Sequence, residues 1–356
     1  MHMADALISP SVGGTLWAVS AGIIAYCSKK VRAEMSTDII PLMGVLGAFI
    51  FSAQMINFTI PGTGSSGHLG GGLILAVLLG PHAAILAIAS ILVVQAFFFA
   101  DGGLLALGCN IFNLGFFPAF IAYPFFYKKI AGKTPSSTRI SAASLVAAII
   151  GVQLGAFSVV AQTVFSGVSS LPFSLFASIM QPIHLAIGVV EGLVSASVIS
   201  FVYKARPEML RHAYESSSTY GHSIRNMALG FLVAAILTGG VISWFASDHP
   251  DGLDWSISKV TGLEKLAGPD REIYTALSLL QEKVAFMPDY VFRKKESTKP
   301  AGWPSTPPPE NSHKPGSTQP DGSKIATSVS GIVGGVITLL LSLMIGCLLK
   351  RGGQTG

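Results

Sequence analysis

The chain is dominated by apolar stretches that are long enough to cross a lipid bilayer as helices. A bilayer core is spanned by roughly 20 apolar residues in a helix, and windows of that length identify nine candidates. They are residues 10–28, 39–57, 70–80 (short), 81–100, 104–127, 140–165, 182–203, 226–246 and 326–349. Charged residues make up 12% of the chain, about half the share of a soluble domain. The predicted fold class is therefore an all-α, polytopic membrane protein with about nine transmembrane helices.

Two of these candidates, residues 70–80 and 81–100, follow each other without a polar loop. Their junction is Gly80-Pro81. Proline lacks an amide hydrogen, and the residue before a proline avoids the helical backbone conformation. The junction predicts a short helix, then a tight turn on the inner side of the membrane, then a full span.

Lysine and arginine residues are distributed unevenly between the two sides of these predicted spans. With the amino terminus outside, the short inner loops and the C-terminus hold 13 of the 23 basic residues, and the short outer loops hold none. The remaining ten lie in the long segment 247–325, and long translocated loops are exempt from the positive-inside rule. The pattern predicts an external N-terminus and an internal C-terminus. The formal net charge of +5 thus reflects orientation signals and does not indicate nucleic-acid binding.

The predicted spans divide the chain into two units. Residues 1–203 hold seven spans, and residues 204–225 form a polar cytoplasmic linker. Residues 226–349 hold two spans that flank the external segment 247–325. Within that segment, residues 297–323 are rich in Pro and Ser, which predicts disorder. The chain is therefore interpreted as a fusion of two membrane proteins.

Several catalytic and nucleotide-binding functions are excluded by their missing motifs. The tetrapeptide AGKT at 131–134 resembles the end of a Walker A loop, but Tyr127 occupies the position of its first glycine. GxSxG and HExxH motifs are absent from the sequence, so an enzyme is not predicted. Glu191 is the clearest acidic residue inside a predicted span, where charges are usually functional or paired. A role in transport and a hydrogen bond to neighbouring helices are both open for it.

The amino terminus, MHMADALISP, offers a compact set of nitrogen donors on the external side. The amine of Met1, the deprotonated amide nitrogen of His2 and its imidazole close a five- and a six-membered chelate ring in one plane. One further nitrogen completes a square-planar set, a geometry that suits Ni(II) or Cu(II) and disfavours Zn(II). The alternative is that His2 is an ordinary exposed tail residue.

A candidate for the fourth donor is His68 in the loop PGTGSSGHLGGG, residues 61–72. Its glycines permit close approach of another segment, and the loop is predicted on the same outer face as the amino terminus. His184, near the outer end of the seventh span, is a weaker candidate. The other histidines lie at an inner turn, in the linker or in the external segment.

Three stretches resemble a known family. MHMADALISP, PGTGSSGHLGGG and the run at 78–113 are similar to the substrate-binding membrane component (NikM/CbiM-like) of nickel/cobalt transporters of the energy-coupling-factor type. The resemblance covers residues 1 to about 203, and the start is closer to the nickel branch. The remainder resembles the small auxiliary component (NikN/PDGLE-type) of the same systems. Its motif here is PDGLDW at 250–255, in which Asp254 replaces the usual glutamate.

The resemblance implies a site and a function. Met1, His2 and His68 would bind the metal, while transport energy would come from separate ATPase subunits and a transmembrane coupling subunit in a prokaryotic inner membrane. The resemblance thus implies a high-affinity nickel-binding component of an importer. The alternatives are import of Co(II) by the same family and, more distantly, a proton-coupled secondary carrier. Polar residues expected near the site, which would orient His68, are Gln54, Asn57, Ser65, Ser66 and Asn110.

Overall fold

The computed structural model describes residues 2–34, 39–207, 223–263, 266, 268–269, 271–293 and 321–351, with the backbone alone for residues 223–224 and 321–323. Met1 lies outside the described residues. So do most of the predicted linker and most of the stretch 297–323, for which disorder is predicted.

Nine apolar helices of the described chain correspond to the nine predicted spans. They are α1 (Pro10–Glu34), α2 (Ile40–Gln54), α3 (Gly72–Leu79), α4 (Pro81–Phe99), α5 (Leu107–Ala131), α6 (Ser137–Ser166), α7 (Phe173–Ala205), α8 (Ser223–Gly240) and α11 (Asp321–Arg351). Six of them are long and apolar enough to cross a membrane by length and composition, whereas α2, α3 and α8 are shorter. The prediction of an all-α, polytopic membrane protein is confirmed.

The break at Gly80-Pro81 occurs where the sequence predicts it. Helix α3 ends at Leu79, Gly80 has φ +83°, and α4 begins at Pro81. Gly80 tolerates a positive φ because it has no Cβ, and proline at the first helical position has no amide hydrogen to leave unpaired. The short helix and the following long helix are thus separate elements.

Small residues let the helices of the bundle approach closely. On α7, a Cβ at Gly188 would lie 3.0 Å from the Cα of Ile149 on α6, and a Cβ at Gly192 would lie 2.8 Å from the Cα of Leu145. Contacts between glycine and backbone of this kind are typical of helix pairs in membranes. The C-terminal unit (residues 223–351) contributes two apolar helices to the bundle, α8 and α11. Both pack on α2 of the amino-terminal unit (residues 2–207).

One end of the bundle carries the irregular elements that build the site. Strands β1 (Phe58–Ile60) and β2 (Ser65–Gly67) form a two-stranded antiparallel hairpin, which sequence analysis treated as an external loop. At the same end, the C-terminal unit adds two short helices, α9 (Gly252–Thr261) and α10 (Glu272–Val284). Helix α9 packs on α7 and β2, and α10 packs on α4. The C-terminal unit therefore reaches the segment that contains His68.

Candidate metal centre

The structure brings His2 and His68 together. Their imidazole rings are stacked, with centroids 4.9 Å apart and planes inclined by 5°. Each side chain is only 8% exposed. The two histidines expected to supply side-chain nitrogens are therefore neighbours in a nearly closed site. Met1, the third expected ligand residue, lies outside the described residues.

The segment that follows His2 is held in the bundle by hydrogen bonds to the backbone of Met3. The Met3 N–H donates to Asn110 Oδ1 at 2.8 Å, and Asn110 Nδ2 donates to the Met3 carbonyl at 3.2 Å. The Gly103 N–H donates to the same carbonyl at 2.9 Å. Met3 itself is fully buried. Because Asn110 binds both polar groups of Met3, it determines how far the amino-terminal segment enters the bundle.

Two polar side chains of the bundle hold the loop after His68 by hydrogen bonds. Glu191 on α7 accepts the Gly70 N–H at Oε2 and the Gly71 N–H at Oε1, both at 3.0 Å. Gln54 on α2 donates to the Gly70 carbonyl at 2.9 Å. Glu191 is 3% exposed and Gln54 is 5% exposed, so these bonds do not compete with bulk water. Of the two readings left open for Glu191, the structure shows hydrogen bonding, although to the loop and not to a helix.

Glycine is required where this loop crosses the bundle. A Cβ at Gly67 would lie 2.6 Å from Cγ1 of Ile187, and Gly71 has φ +76° with a Cβ position 2.5 Å from Ile50. Any side chain at these two positions would push the loop away from α7 and α2. The glycines beside His68 therefore allow the loop to approach α7 and α2 closely, as was expected from the sequence.

The electrostatic environment keeps His68 neutral. Burial lowers the pKa of its ring from 6.5 to about 3, because a charged ring loses its hydration in an enclosed site. The ring Nδ1 lies 3.2 Å from the Leu69 carbonyl oxygen, which favours the tautomer whose Nδ1–H donates to that oxygen. In this tautomer Nε2 carries the lone pair, so it is the nitrogen that would coordinate a metal.

Each histidine has a carboxylate close to one ring nitrogen. Asp101 Oδ1 lies 3.2 Å from Nδ1 of His2, and Asp251 Oδ2 lies 3.9 Å from Nε2 of His68. Burial alone would raise the pKa of Asp101, but attraction to His2 and hydrogen bonds with His2 and Tyr290 hold that pKa below its ordinary value. Sequence analysis singled out neither aspartate as a site residue. The position of Asp101, directly after an apolar span and before two glycines, was the available signal.

The C-terminal unit pairs with the strand that precedes His68. The Ser66 N–H donates to the Pro250 carbonyl at 2.8 Å, and Ser66 Oγ donates to the His249 carbonyl at 2.7 Å. Ser66 and Asp251 form a parallel β-bridge. Asp251 Oδ1 also accepts the N–H groups of Leu253 and Asp254 and so caps the N-terminus of α9. The PDGLDW motif thus places a helix start beside His68.

The residues expected to orient His68 fall into two groups. Gln54 and Asn110 hold the backbone of Gly70 and Met3, as described above. The hairpin residues bind the C-terminal unit instead: the Asn57 carbonyl accepts the Ser247 N–H at 2.7 Å, and Ser65 Oγ lies 3.5 Å from the Pro250 carbonyl. Ser66 makes the contacts already given. His184, the weaker candidate for the fourth donor, is fully buried on α7 beneath Gly252.

Side chains alone do not form a metal-binding cluster here. Among the described residues, no three His, Cys, Asp or Glu side chains are grouped so that they could hold a metal ion. The terminal and backbone nitrogens of the Met1-His2 chelate stay a prediction, since Met1 lies outside the described residues.

Comparison with known proteins identifies the family. Residues 2–209, more than half of the chain, match CbiM, the cobalt uptake substrate-specific transmembrane region. This chain belongs to the CbiM family. Residues 225–351 match the PDGLE domain. A CbiM-family region and a PDGLE domain are therefore joined in one chain.

Individual relatives match about three fifths of this chain. A putative metal transport protein of Haloquadratum walsbyi is 34% identical over 61% of this chain and 97% of its own length. A putative fused nickel transport protein NikMN of Archaeoglobus fulgidus is 34% identical over 59% of this chain and 68% of its own length. A crystal structure of a transition metal transporter is 26% identical, with a TM-score of 0.52 over 60% of this chain and 97% of that chain. His2 and His68 both lie within residues 2–209, the part of the chain that matches the CbiM model.

Proposed function

We propose that this chain is the nickel-binding membrane component of an energy-coupling-factor importer. The observation that carries the proposal is the stacking of His2 on His68, with ring centroids 4.9 Å apart in a nearly closed site. Membership of the CbiM family supports a role in uptake of Ni(II) or Co(II). The relative from Archaeoglobus fulgidus carries the name of a putative fused nickel transport protein.

The proposed site is a planar set of four nitrogens. The Met1 amine, the amide and Nδ1 of His2, and Nε2 of His68 each supply one donor, and Nδ1 of His2 exchanges its contact with Asp101 Oδ1 for the metal. Ni(II) accepts a square-planar arrangement of nitrogens, whereas hard cations prefer oxygen ligands. Asn110 and Glu191 each hold one of the two ligand-bearing segments by hydrogen bonds, which supports a site whose donors keep fixed positions.

Energy for transport would come from separate ATPase subunits and a transmembrane coupling subunit in a prokaryotic inner membrane. The sequence lacks a Walker A motif, so this chain would depend on those partners for ATP hydrolysis. In the proposed topology the amino terminus is external, and the metal is therefore taken from outside the cell.

Co(II) is the second candidate substrate. The cobalt transport protein CbiM of Geobacter sulfurreducens is 28% identical over 59% of this chain. A proton-coupled carrier has less support, because both oxygens of Glu191 accept N–H groups of the loop. Those two bonds give the carboxylate a structural partner in place of a proton pathway.

The test of the proposal uses the donor set itself. Three forms of the full chain would be equilibrated with Ni(II), desalted and assayed for metal: one with an extra residue before Met1, His68→Ala, and His82→Ala as the control. His82 lies at the start of α4, beside Tyr26 and Phe120, whereas Asp101 follows the other end of that helix. The first two forms should lose tight binding, and the control should retain one Ni(II) per chain. Retention by the extended form would refute the amine as a ligand, and retention by His68→Ala would refute His68.

A further inference from the structure

A cavity of about 660 Å³ lies between the two units, with His2 in its wall. Residues 4–7 and 100–103 line it from the amino-terminal unit, and α9, α10 and Asp289 line it from the C-terminal unit. We call this cavity the vestibule. Asp254 and Asp289 in its wall are exposed, so the vestibule reaches the surface of the molecule. Since one water molecule takes about 30 Å³ in the liquid, the vestibule has room for a cation with its hydration shell.

The vestibule has a negative wall. The aspartates Asp5, Asp101, Asp254 and Asp289 line it, and no Lys or Arg is found among its described lining residues. Two of the four come from each unit, so the charge depends on the two units being together. A cleft lined by one sign of charge focuses the electric field and raises the local concentration of counter-ions. The counter-ions attracted here are cations.

The inner wall of the vestibule contains a buried nitrogen that lacks a partner. The His2 side chain is 8% exposed, and its Nε2 has no hydrogen-bond partner among the described residues. Buried polar atoms are almost always hydrogen-bonded, so an exception calls for an explanation such as a missing ligand. Independently of the aspartates, this nitrogen indicates that a polar group or a cation reaches the His2 ring at Nε2, which is not the proposed nickel donor Nδ1.

Asp101 connects the vestibule to the ligand set. Its Oδ1 lies 3.2 Å from Nδ1 of His2, and its Oδ2 accepts a hydrogen bond from the Tyr290 hydroxyl at 2.6 Å. Tyr290 belongs to the C-terminal unit. The carboxylate nearest to the proposed nickel donor is therefore held in place by the unit that completes the vestibule.

The vestibule carboxylates are arranged to attract a cation and not to chelate it. Among the described residues, no three acidic, histidine or cysteine side chains converge on one point. A divalent cation in the vestibule would keep its water ligands and interact with the aspartates through them. It would lose those waters to solvent only where nitrogen donors replace them, at His2.

We propose that the vestibule is a loading site, which collects hydrated divalent cations and delivers them past Asp101 to His2. This inference rests on the proposed function, because it assumes that His2 binds the metal. The C-terminal unit then contributes to capture by supplying Asp254, Asp289 and the Tyr290 anchor. The vestibule raises the rate at which the metal arrives, whereas the rate of its release from the final site does not depend on the vestibule.

The test measures the rate of Ni(II) binding to the full chain by rapid mixing, at several ionic strengths. The variant Asp254→Asn/Asp289→Asn neutralises two wall residues that are outside the proposed ligand set. Asparagine is close in size to aspartate and tolerates the positive φ of Asp289. The control, Glu272→Gln/Glu282→Gln, removes the same charge from exposed positions of α10 outside the vestibule wall. Release rates are measured by trapping freed Ni(II) with excess chelator.

The wall variant should bind Ni(II) roughly 10-fold more slowly at low salt, the lower end of known steering effects, with a weaker dependence on ionic strength. Its release rate and that of the control should match the original chain. An unchanged binding rate, or an equal decrease in the control, would overturn the loading site. If the original chain fails to bind Ni(II) at all, the proposed function fails instead, so the two failures are distinguishable.

Discussion

At the scale of single residues, Glu191 makes the most specific contact with the loop that carries His68. Its two oxygens accept the N–H groups of Gly70 and Gly71. In Glu191→Gln, one of these oxygens becomes an amide NH₂, which faces a backbone N–H as donor against donor. We expect nickel affinity to fall about 10- to 100-fold, as for other residues that orient metal ligands.

Competition dialysis against a calibrated chelator measures this loss, with the Gln153→Leu variant as a matched control. Gln153 is a part-buried amide on α6 whose Nε2 donates to the Gln181 carbonyl within the bundle. The control tests whether losing any hydrogen bond inside the helices is sufficient. Equal affinity in Glu191→Gln and the original chain would contradict the positioning role.

A pH dependence also belongs to this scale. Binding requires the Met1 amine and the His2 amide to lose protons, so a lower pH favours the protonated, metal-free form. His68 adds little near neutrality, because burial already holds its pKa at about 3. Nickel affinity should therefore decrease steadily as the buffer is made mildly acidic, measured by equilibrium dialysis at each pH. Constant affinity across that range would exclude the amide nitrogen as a ligand.

The residues that could be predicted from the sequence are those that local chemistry identifies. His2 follows the first residue, which indicates a chelate with the terminal amine. His68 stands among six glycines, which indicates a loop that another segment can approach closely. Asp101 and Asp251 were missed, because their roles depend on contacts between segments far apart in the chain and the position of Asp101 after an apolar span was the one local signal. Gln54 and Asn110 were found by type and position, and the structure assigns them to backbone atoms of Gly70 and Met3.

At the scale of elements, α9 depends on its first capping residue. Asp251 Oδ1 accepts the N–H groups of Leu253 and Asp254. Replacing an aspartate cap by alanine costs about 1 kcal/mol of helix stability, whereas asparagine caps about as well as aspartate. Asp251→Ala should therefore increase hydrogen exchange across α9, while Asp251→Asn should leave it near the original level. Equal exchange in the two variants would show that the cap does not stabilise α9.

The prediction of elements was accurate for the long apolar helices and poorer for the short pieces. Hydrophobic length alone identifies a span, and Gly80-Pro81 locates the break between α3 and α4. The hairpin was missed, since β1 and β2 have three residues each and alternation cannot be recognised over so short a run. The start of α9 at PDGLDW was not predicted, because Pro-Asp-Gly is equally typical of turns and of capped helix starts.

At the scale of the whole molecule, the two units are joined by helix packing inside the membrane. A Cβ at Gly334 of α11 would overlap the ring of Phe51 on α2, whereas the nearest atom to a Cβ at Gly335 is Ser52 Oγ at 3.5 Å. Overpacking typically costs about 1–3 kcal/mol. Gly334→Ala should lower the thermal unfolding midpoint of the detergent-solubilised chain, and its neighbour Gly335→Ala should not. Similar midpoints for both variants would contradict this packing.

The C-terminal unit contributes both contacts and negative charge to the surroundings of the site. The C-terminal unit packs on α2 through its spans, pairs with β2 through Ser66, and supplies half of the vestibule aspartates. Sequence comparison alone reports two adjacent matches, at residues 2–209 and 225–351. Only the three-dimensional arrangement shows that the second unit contacts the loop of His68.

The central claim is a planar, all-nitrogen nickel site at the amino terminus. The most direct test equilibrates the purified chain with equal Ni(II) and Co(II), desalts it, counts the retained metals and determines their coordination by X-ray absorption. The account predicts one Ni(II) per chain with four nitrogen ligands in a plane. Retention mainly of Co(II), or of Ni(II) in a six-coordinate oxygen environment, would contradict it.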